Sequence, residues 1–161
     1  MSAAGHPVTV RRALRRDLPA LLELESLFPG DRLSRSSLMR LLLRESADVW
    51  VAEVAEAADQ VASGQVAGDA IVLYRKGFDA ARLYSMVVRP EWRGRGVASA
   101  LLGAAEQRAL QRGLSVMRLE VREDNRGAIA FYAKAGYRET GRSPDYYEDS
   151  AGALRMSKPL A

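Results

Sequence analysis

The residues best suited to chemistry form a short turn rich in arginine and glycine, Arg93–Ser99, with the sequence RGRGVAS. An apolar, strand-like stretch, Leu83–Val88, precedes this turn, and a helix-like stretch from Val97 to Arg112 follows it. A strand, a glycine-containing turn and a helix in that order gather unpaired backbone N–H groups at a helix N-terminus, where they bind phosphate. Glycine suits such a turn because the missing Cβ atom lets a ligand approach the main chain closely. The turn therefore predicts an anion site that needs no metal.

Three phosphate-binding patterns can be compared with this turn. A P-loop needs Gly-Lys-Ser or Gly-Lys-Thr, and neither tripeptide occurs in the chain. The dinucleotide fingerprint G-x-G-x-x-G is matched by Gly94 and Gly96, but Ser99 stands where the third glycine belongs. Glu120 would be the candidate for the acid that binds the ribose. The third pattern, [QR]-x-x-G-x-[GA], is matched in full by residues 93–98.

A second group of residues follows the turn. Glu120 lies in a strand-like segment, Asn125 begins the next helical segment, and Tyr132 lies on that helix. Together with the turn, this arrangement resembles the GNAT superfamily of N-acetyltransferases, and most closely its bacterial ribosomal-protein alanine N-acetyltransferases. The sequence Asp145-Tyr146-Tyr147 adds to the likeness, which covers residues 81–158 well and the N-terminal half only in outline.

The resemblance implies acetyl-CoA as the acetyl donor. Backbone N–H groups of the turn would hold its pyrophosphate, and the strand before the turn would pair with its pantetheine arm, with the N–H of Met86 or Val87 facing the thioester carbonyl. Solvated side chains are the alternative for Arg93 and Arg95, whereas a central buried strand at Met86–Val88 is compatible with pairing to the pantetheine arm. The residues expected to contact the donor are Met86, Val87, Val88, Arg93, Arg95, Gly96, Val97, Ala98, Ser99 and Asn125.

Two side chains are the candidates for proton transfer. The phenol of Tyr132 stays protonated at neutral pH and can donate to a leaving thiolate, although plain core packing also accounts for a tyrosine at this place. Glu120 can take the proton of an incoming ammonium, directly or through a water. Its flanking residues Leu119 and Val121 must point to the opposite side of the strand, and a surface glutamate is the alternative. Asn125 is also a favourable helix N-cap.

The acceptor implied by the resemblance is a peptide or protein α-amine, such as that of a ribosomal protein. Tyr146 and Tyr147, among the acidic residues Asp145, Glu148 and Asp149, would border it, although a tight turn explains the same residues. The loop 28–33 is the other segment expected to contact the acceptor. A small-molecule amine acetyltransferase, a non-catalytic acyl-CoA-binding protein and a dinucleotide-binding module remain alternatives.

Composition narrows the chemistry further. The chain has 161 residues, which favours one domain over 1–161, and it contains no cysteine and a single histidine, His6. Thiolate nucleophiles, disulfides, cysteine-ligated metals and histidine triads are therefore excluded, and direct attack of the amine in a ternary complex is favoured. The net charge of +4 includes a basic run, residues 11–16, which is interpreted as a solvated face rather than a nucleic-acid site. No apolar segment has the length of a membrane span, so we expect a cytoplasmic protein. The expected oligomeric state is a monomer or a homodimer.

The hydrophobic pattern predicts how the elements follow one another. Strands are expected at residues 8–11, 49–54, 70–74, 81–88, 116–121, 137–140 and 153–157, with residues 56–68 as a long hairpin connection. Helices are expected from an Asp17 N-cap to Phe28, after Ser34, from Val97 to Arg112, and from Asn125 to Ala135. This order, β-α-α-β-β-β-α-β-α-β-β, predicts an α/β fold of the GNAT type, with a mixed, mostly antiparallel sheet covered by helices on both faces.

Overall fold

The computed structural model describes residues 7–27, 33–55 and 64–160. These ranges contain the eleven predicted elements in the predicted order, with two short 3-10 turns, Arg15–Asp17 and Pro90–Trp92, added between them. The strands and helices are β1 (Val8–Arg12), α1 (Leu18–Glu25), α2 (Arg35–Leu43), β2 (Ala47–Val54), β3 (Gln65–Tyr74), β4 (Ala80–Val88), α3 (Val97–Gln111), β5 (Val116–Arg122), α4 (Arg126–Lys134), β6 (Arg138–Ser143) and β7 (Ala153–Pro159).

The seven strands form one sheet in the order β1-β2-β3-β4-β5-β7-β6. Among the described strands, β4 and β5 are the one parallel pair, and every other pair of neighbours is antiparallel. The predicted mixed, mostly antiparallel α/β sheet is confirmed. A dinucleotide-binding module is built on a mostly parallel sheet, so that alternative is wrong.

Each face of the sheet has its own apolar core. Buried side chains of α3 and α4, such as Leu101 and Tyr132, pack on one face, and α1 and α2 pack on the other face through Leu21 and Leu38. The apolar positions of these helices recur at helical spacing, which is why one side of each helix is buried. No helix in the described ranges combines the length and the apolarity that a membrane crossing requires.

The prediction that the connection after β2 extends to Gly68 is wrong, because β3 already begins at Gln65. Residues 56–63 lie outside the described residues. Glycine and aspartate are uncommon in strands, yet Gly68 and Asp69 both lie within β3 and both are buried. A Cβ atom on Gly68 would lie 2.7 Å from the backbone oxygen of Val87 and 3.2 Å from a methyl carbon of Leu101. The close approach of β4 and α3 therefore requires glycine inside this strand.

The N-terminal part differs from the expectations in its details. Asp17 precedes α1 but makes no side-chain cap to it; its carboxylate accepts from the Leu14 N–H at 2.7 Å and from Arg11 at 2.8 and 2.9 Å. Helix α1 ends at Glu25, before the predicted end at Phe28. Residues 28–32 of the predicted acceptor loop, and the terminal His6, lie outside the described residues. The Arg11 contacts show that the basic run is partly neutralised within the fold.

We predict opposite effects on stability for two glycine-to-alanine changes that involve α3. Gly68→Ala should lower the free energy of unfolding by about 1–3 kcal/mol, because the new methyl group meets backbone and packed side chains. Gly103→Ala is the control, because an added Cβ atom on this exposed helical residue meets nothing within 4 Å and should stabilise α3 by up to about 1 kcal/mol. Urea denaturation measures both values, and equal stability of Gly68→Ala and wild type would contradict the packing described here.

Candidate active site

A β-bulge in β4 opens a gap in the middle of the sheet. The register between β3 and β4 shifts after Leu83, where Tyr84 is an extra residue. The parallel ladder between β4 and β5 ends at the same level, with the pair Leu83 and Leu119. Beyond this pair, β4 stays with β3 as far as Val88 and β5 stays with β7 as far as Arg122. A bulge bends and twists its strand, so the facing edges of β4 and β5 separate.

The open edge of β4 presents backbone donors to this gap. The Arg89 N–H donates to the Ala67 oxygen of β3 at 2.8 Å. Because backbone groups alternate in direction along a strand, the N–H of Val87 also points toward β3. The N–H groups of Met86 and Val88 therefore point into the gap between β4 and β5.

The turn before α3 leaves the first backbone N–H groups of the helix without a partner. Gly94 and Gly96 have φ angles of +74° and +84°, a left-handed conformation that glycine adopts without a steric penalty. The first helical hydrogen bond runs from the Ala100 N–H to the Gly96 oxygen at 3.0 Å, so the N–H groups of residues 97–99 have no acceptor within the helix. Gly96 has no side chain with which to cap them, and the first turn contains no acidic residue. An anion is the partner that this N-terminus can accept.

The two arginines of the turn are placed differently. The Arg95 guanidinium lies over the Trp92 ring, 5.1 Å from its centroid, whereas Arg93 is exposed and lines the cavity described next. Both add positive charge beside the N-terminus of α3, which strengthens the attraction for an anion.

Two cavities meet in the gap between β4 and β5. The first, of about 360 Å³, is called the donor cavity here and lies between the turn, the end of β4 and α4. The second, of about 200 Å³, is called the acceptor cavity and lies between α1, β4, β5 and the segment after β6. Three residues line both cavities: Met86, Ala128 and Tyr132. A ligand in one cavity can therefore touch a ligand in the other.

Most of the predicted site residues are brought together here. Met86, Glu120, Asn125 and Tyr132 line the acceptor cavity. Val87 and Arg95 line neither of the two cavities. The donor cavity is lined, among others, by Met86, Val88, Arg93, Gly96, Val97, Ala98, Ser99 and Tyr132.

Tyr132 reaches the junction of the cavities from α4. The helix begins at Asn125, whose Oδ1 accepts from the Ala128 N–H at 3.1 Å, and this cap fixes the start from which the helix places Tyr132. The Tyr132 ring is buried and packs edge-to-face with Phe131 and Tyr137, at centroid distances of 5.3 and 5.7 Å. Burial, and to a smaller extent the neighbouring Tyr147, raises the pKa of the Tyr132 phenol. The hydroxyl therefore carries its proton at every physiological pH and can act as a donor.

Glu120 lies on β5 with its side chain opposite those of Leu119 and Val121, as predicted. Its side chain is only 10% exposed, and its Oε1 lies 3.3 Å from the Arg82 Nε and 3.4 Å from Arg118. Its Oε2 is buried without a hydrogen-bond partner. A buried carboxylate oxygen that lacks a donor can accept a proton or a hydrogen bond from a ligand.

Two tyrosines after β6 complete the wall of the acceptor cavity. The Arg82 guanidinium donates to the Tyr146 hydroxyl at 2.7 Å, and Arg122 lies over the Tyr147 ring at 5.1 Å from its centroid. Burial raises the pKa of Tyr147 to about 12. The two rings stack edge-to-face at 5.0 Å, so this segment has a defined position at the site.

Three polar residues at the base of this site, Glu25, Ser85 and Asp69, are not among the predicted site residues. The Ser85 hydroxyl donates to both Glu25 oxygens at 3.2 and 3.3 Å, and Glu25 lines the acceptor cavity. Asp69 is completely buried beside Glu25. A signal was present, because Glu25 occupies a buried helical position in register with Leu18 and Leu21, and Asp69 interrupts an apolar strand.

We predict that the N-cap of α4 can be tested by two substitutions at one position. Asn125→Ala should lower the free energy of unfolding by about 1 kcal/mol, because the Ala128 N–H loses its acceptor. Asn125→Asp replaces the amide oxygen by a carboxylate oxygen, which can still accept from the Ala128 N–H. This variant should therefore retain most of the stability. Urea denaturation of the three proteins measures the difference, and an equal loss in both variants would show that the cap does not stabilise α4.

Comparison with known proteins identifies the family. The family model "Acetyltransferase (GNAT) family" matches residues 18–137. An acetyltransferase of Sodalis glossinidius is 37% identical over 75 residues, and the match covers 45% of this chain and 53% of the relative. An uncharacterized N-acetyltransferase of Methanocaldococcus jannaschii is 38% identical over 82 residues, covering 51% of this chain and 33% of the relative. The chain thus matches about half of the first relative and a third of the second.

Solved structures resemble the chain over nearly its whole length. The ribosomal-protein-S18-alanine N-acetyltransferase of Escherichia coli superposes with a TM-score of 0.78 at 25% identity, covering 96% of this chain and 95% of that one. Ard1 from Thermoplasma volcanium gives a TM-score of 0.82 at 28% identity, covering 96% and 98%. A spermidine N-acetyltransferase chimera from Vibrio cholerae and hSSAT, at 19% identity and a TM-score of 0.80, covers 95% of each chain and shares the fold. With the family match and the fold in agreement, the chain belongs to the GNAT acetyltransferase family.

Proposed function

We propose that this protein transfers the acetyl group of acetyl-CoA to a primary amine. The observation that carries the proposal is the junction of the donor and acceptor cavities at Met86 and Tyr132, in the gap between β4 and β5. A cavity that ends at an anion-binding helix N-terminus suits the donor, and a cavity with a buried carboxylate suits an amine. The family, together with the Glu120 carboxylate in the acceptor cavity and the Tyr132 phenol that lines both cavities, favours an enzyme over a non-catalytic acyl-CoA-binding protein.

The residues of the donor cavity fit acetyl-CoA. The free N–H groups of residues 97–99, with the α3 dipole behind them, suit the pyrophosphate, and nothing lies within 4 Å of a Cβ position on Gly94 or Gly96 to block it. The Met86 and Val88 backbone suits the pantetheine arm, which would pair with the open edge of β4 like an added strand. When bound, acetyl-CoA supplies an acetyl group activated as a thioester.

The residues at the junction divide the proton transfers between them. Glu120 Oε2 takes a proton from the acceptor ammonium, directly or through a water, so that the neutral amine can attack the carbonyl carbon. The Met86 N–H, rather than that of Val87, points into the gap and stabilises the negative charge that develops on the carbonyl oxygen. Tyr132 donates its proton to the sulfur as the C–S bond breaks, and the excess proton on the newly bonded nitrogen restores the phenol, which leaves a neutral amide and a thiol. The chain has no cysteine to carry an acyl group, which favours this direct attack.

A peptide or protein α-amine is the acceptor that we propose first. It is supported by the likeness to the ribosomal-protein-S18-alanine N-acetyltransferase at 25% identity. A small-molecule amine is the second candidate, since the acceptor cavity of about 200 Å³ has room for a small amine. A screen of alanine-starting peptides against spermidine and free amino acids, at saturating acetyl-CoA, distinguishes the two.

We predict that the donor site can be weakened without loss of fold by Ser99→Glu. A carboxylate in the first turn of α3 repels the pyrophosphate, so the Kd for acetyl-CoA should rise about tenfold or more. The same charge interacts favourably with the helix dipole and should leave the stability equal or higher by about 0.3–1 kcal/mol. Calorimetric titration and urea denaturation measure the two quantities. Ser99→Gln is the uncharged control, and an unchanged Kd in Ser99→Glu would place the phosphates elsewhere.

We predict that two conservative variants separate catalysis from donor binding. Tyr132→Phe and Glu120→Gln should each lower kcat by about 10²–10⁴-fold, because each removes one proton transfer, while the Kd for acetyl-CoA changes little. Tyr74→Phe is the control, because the Tyr74 hydroxyl donates to Asp48 at 2.6 Å and lines neither cavity. Undiminished kcat in Tyr132→Phe would exclude the phenol as the proton donor. Failure of the wild type to bind acetyl-CoA at all would overturn the proposed function itself.

A further inference from the structure

Two carboxyl groups are in contact at the base of the acceptor cavity: Glu25 lines the cavity, and Asp69 is buried behind Glu25. Glu25, at the end of α1, is 4% exposed, and Asp69, in the middle of β3, is 0% exposed. The Ser85 hydroxyl of β4 binds Glu25 from a third element. Two ionised carboxylates so close together would repel each other in a medium of low dielectric constant.

One proton shared by the pair resolves this conflict. If both groups were ionised, the backbone N–H of Val87 would favour the charged form of Asp69, but no side-chain donor would satisfy either Asp69 oxygen. With a proton on Asp69, its O–H donates to the Glu25 carboxylate, which then accepts from both Asp69 and Ser85. Burial and the neighbouring Glu25 charge raise the pKa of Asp69 well above its usual value. Burial raises the pKa of Glu25 as well, but the hydrogen bonds from Asp69 and Ser85 favour its ionised form, so the one negative charge of the pair is on Glu25.

The negative charge of Glu25 has no cation to balance it within the described residues. The other charged groups that line the acceptor cavity are paired: Arg82 with Glu120 at 3.3 Å, and Arg122 with Asp124 and Asp149 at 3.1 and 2.7 Å. No arginine or lysine of the described ranges forms an ion pair with Glu25. A buried, unpaired carboxylate is costly to keep, so the missing partner is expected to be a positively charged ligand.

A second, independent feature of the same cavity also requires a ligand with donors. Glu120 is nine-tenths buried, and its Oε2 has no hydrogen-bond partner. Glu25 and Glu120 come from α1 and β5, and both line this one cavity. An ammonium group has three donors, enough to bind a carboxylate on each side.

We propose that the Glu25 carboxylate, held by Ser85 and by a protonated Asp69, binds the ammonium group of the acceptor. This inference rests on the proposed function, and it gives the acceptor site its selectivity for positively charged amines. Glu25 positions the ammonium beside Glu120, which then takes the proton. Asp69 acts only through Glu25 and is a positioning residue.

Binding of a minimal cation tests the proposal without any turnover. Alaninamide, a cationic amine, and propionamide, its analogue without the amino group, are titrated into the CoA-saturated protein labelled with ¹³C at the Asp and Glu carboxyl carbons. Alaninamide should shift the Glu25 carboxyl resonance, and propionamide should not bind. Glu25→Gln should weaken alaninamide binding about 10- to 100-fold. The control is Glu23→Gln on the same helix, an exposed carboxylate that pairs with Arg89 and should leave the binding unchanged.

Two substitutions of Asp69 test the proton on that residue. Asp69→Asn replaces one hydrogen-bond donor by another, so alaninamide binding should stay within about threefold of wild type. Asp69→Ala removes the donor and should weaken binding about tenfold. Infrared spectra at neutral pH should contain a protonated carboxyl band that disappears in Asp69→Asn. Absence of that band in the wild type, or a larger loss of binding in Asp69→Asn than in Asp69→Ala, would overturn the shared proton.

The outcomes distinguish this inference from the proposed function. Equal alaninamide binding by wild type and Glu25→Gln, equal binding of propionamide, or no binding of alaninamide to the wild type would each overturn the role of Glu25. None of these results concerns the transfer of acetyl groups. A wild type that binds alaninamide through Glu25 but binds no acetyl-CoA would instead overturn the proposed function and leave the cation site in place.

Discussion

The gap between β4 and β5 is the constraint on which the site depends. A continuous ladder between these strands would pair the Met86 N–H with β5 and close the sheet between the two cavities. The extra residue Tyr84 prevents this, because the register of β4 against β3 shifts at the level where the ladder to β5 ends, after Leu83. The strands remain firmly held on their outer sides by β3 and β7. The opening is therefore a fixed part of the fold and needs no loop movement to form.

Under the proposed function, the same gap would let the donor and the acceptor approach from opposite faces of the sheet. Met86, Val88 and Tyr132 belong to the core on the side of α3 and α4, which is the side of the phosphate-binding turn. Glu25 comes from α1, which packs on the other face. A donor and an acceptor that enter from different faces meet only where the sheet is open. In the proposed reaction, backbone pairing therefore sets where the donor and the acceptor meet, and the side chains around that place supply the charges and protons.

The sequence predicted the C-terminal half of the molecule better than the N-terminal half, for a physical reason. The turn before α3, the Asn125 cap and the alternation around Glu120 are local features, encoded within a few residues by glycine, capping and strand periodicity. The bulge at Tyr84 is different, because the register shift depends on the pairing of two strands. The sequence pattern places Gly68 in the connection and leaves Asp69 outside any strand, because neither suits a strand on its own, and only the packing of β4 and α3 around Gly68 accounts for a glycine there.

Contacts between distant segments account for the residues that the sequence did not reveal. Ser85 and Glu25 are 60 positions apart, and no local pattern connects them with Asp69. Each of the three is a polar residue at a position where the pattern of its helix or strand calls for an apolar one. The local sequence and the fold therefore disagree at these positions. Buried polar groups persist when their partners compensate for the loss of water, and here Ser85 and a protonated Asp69 compensate for Glu25 only in part. In our proposal the remaining charge belongs to Glu25, which lines the acceptor cavity, and this is why a polar residue in an otherwise apolar pattern marks this cavity.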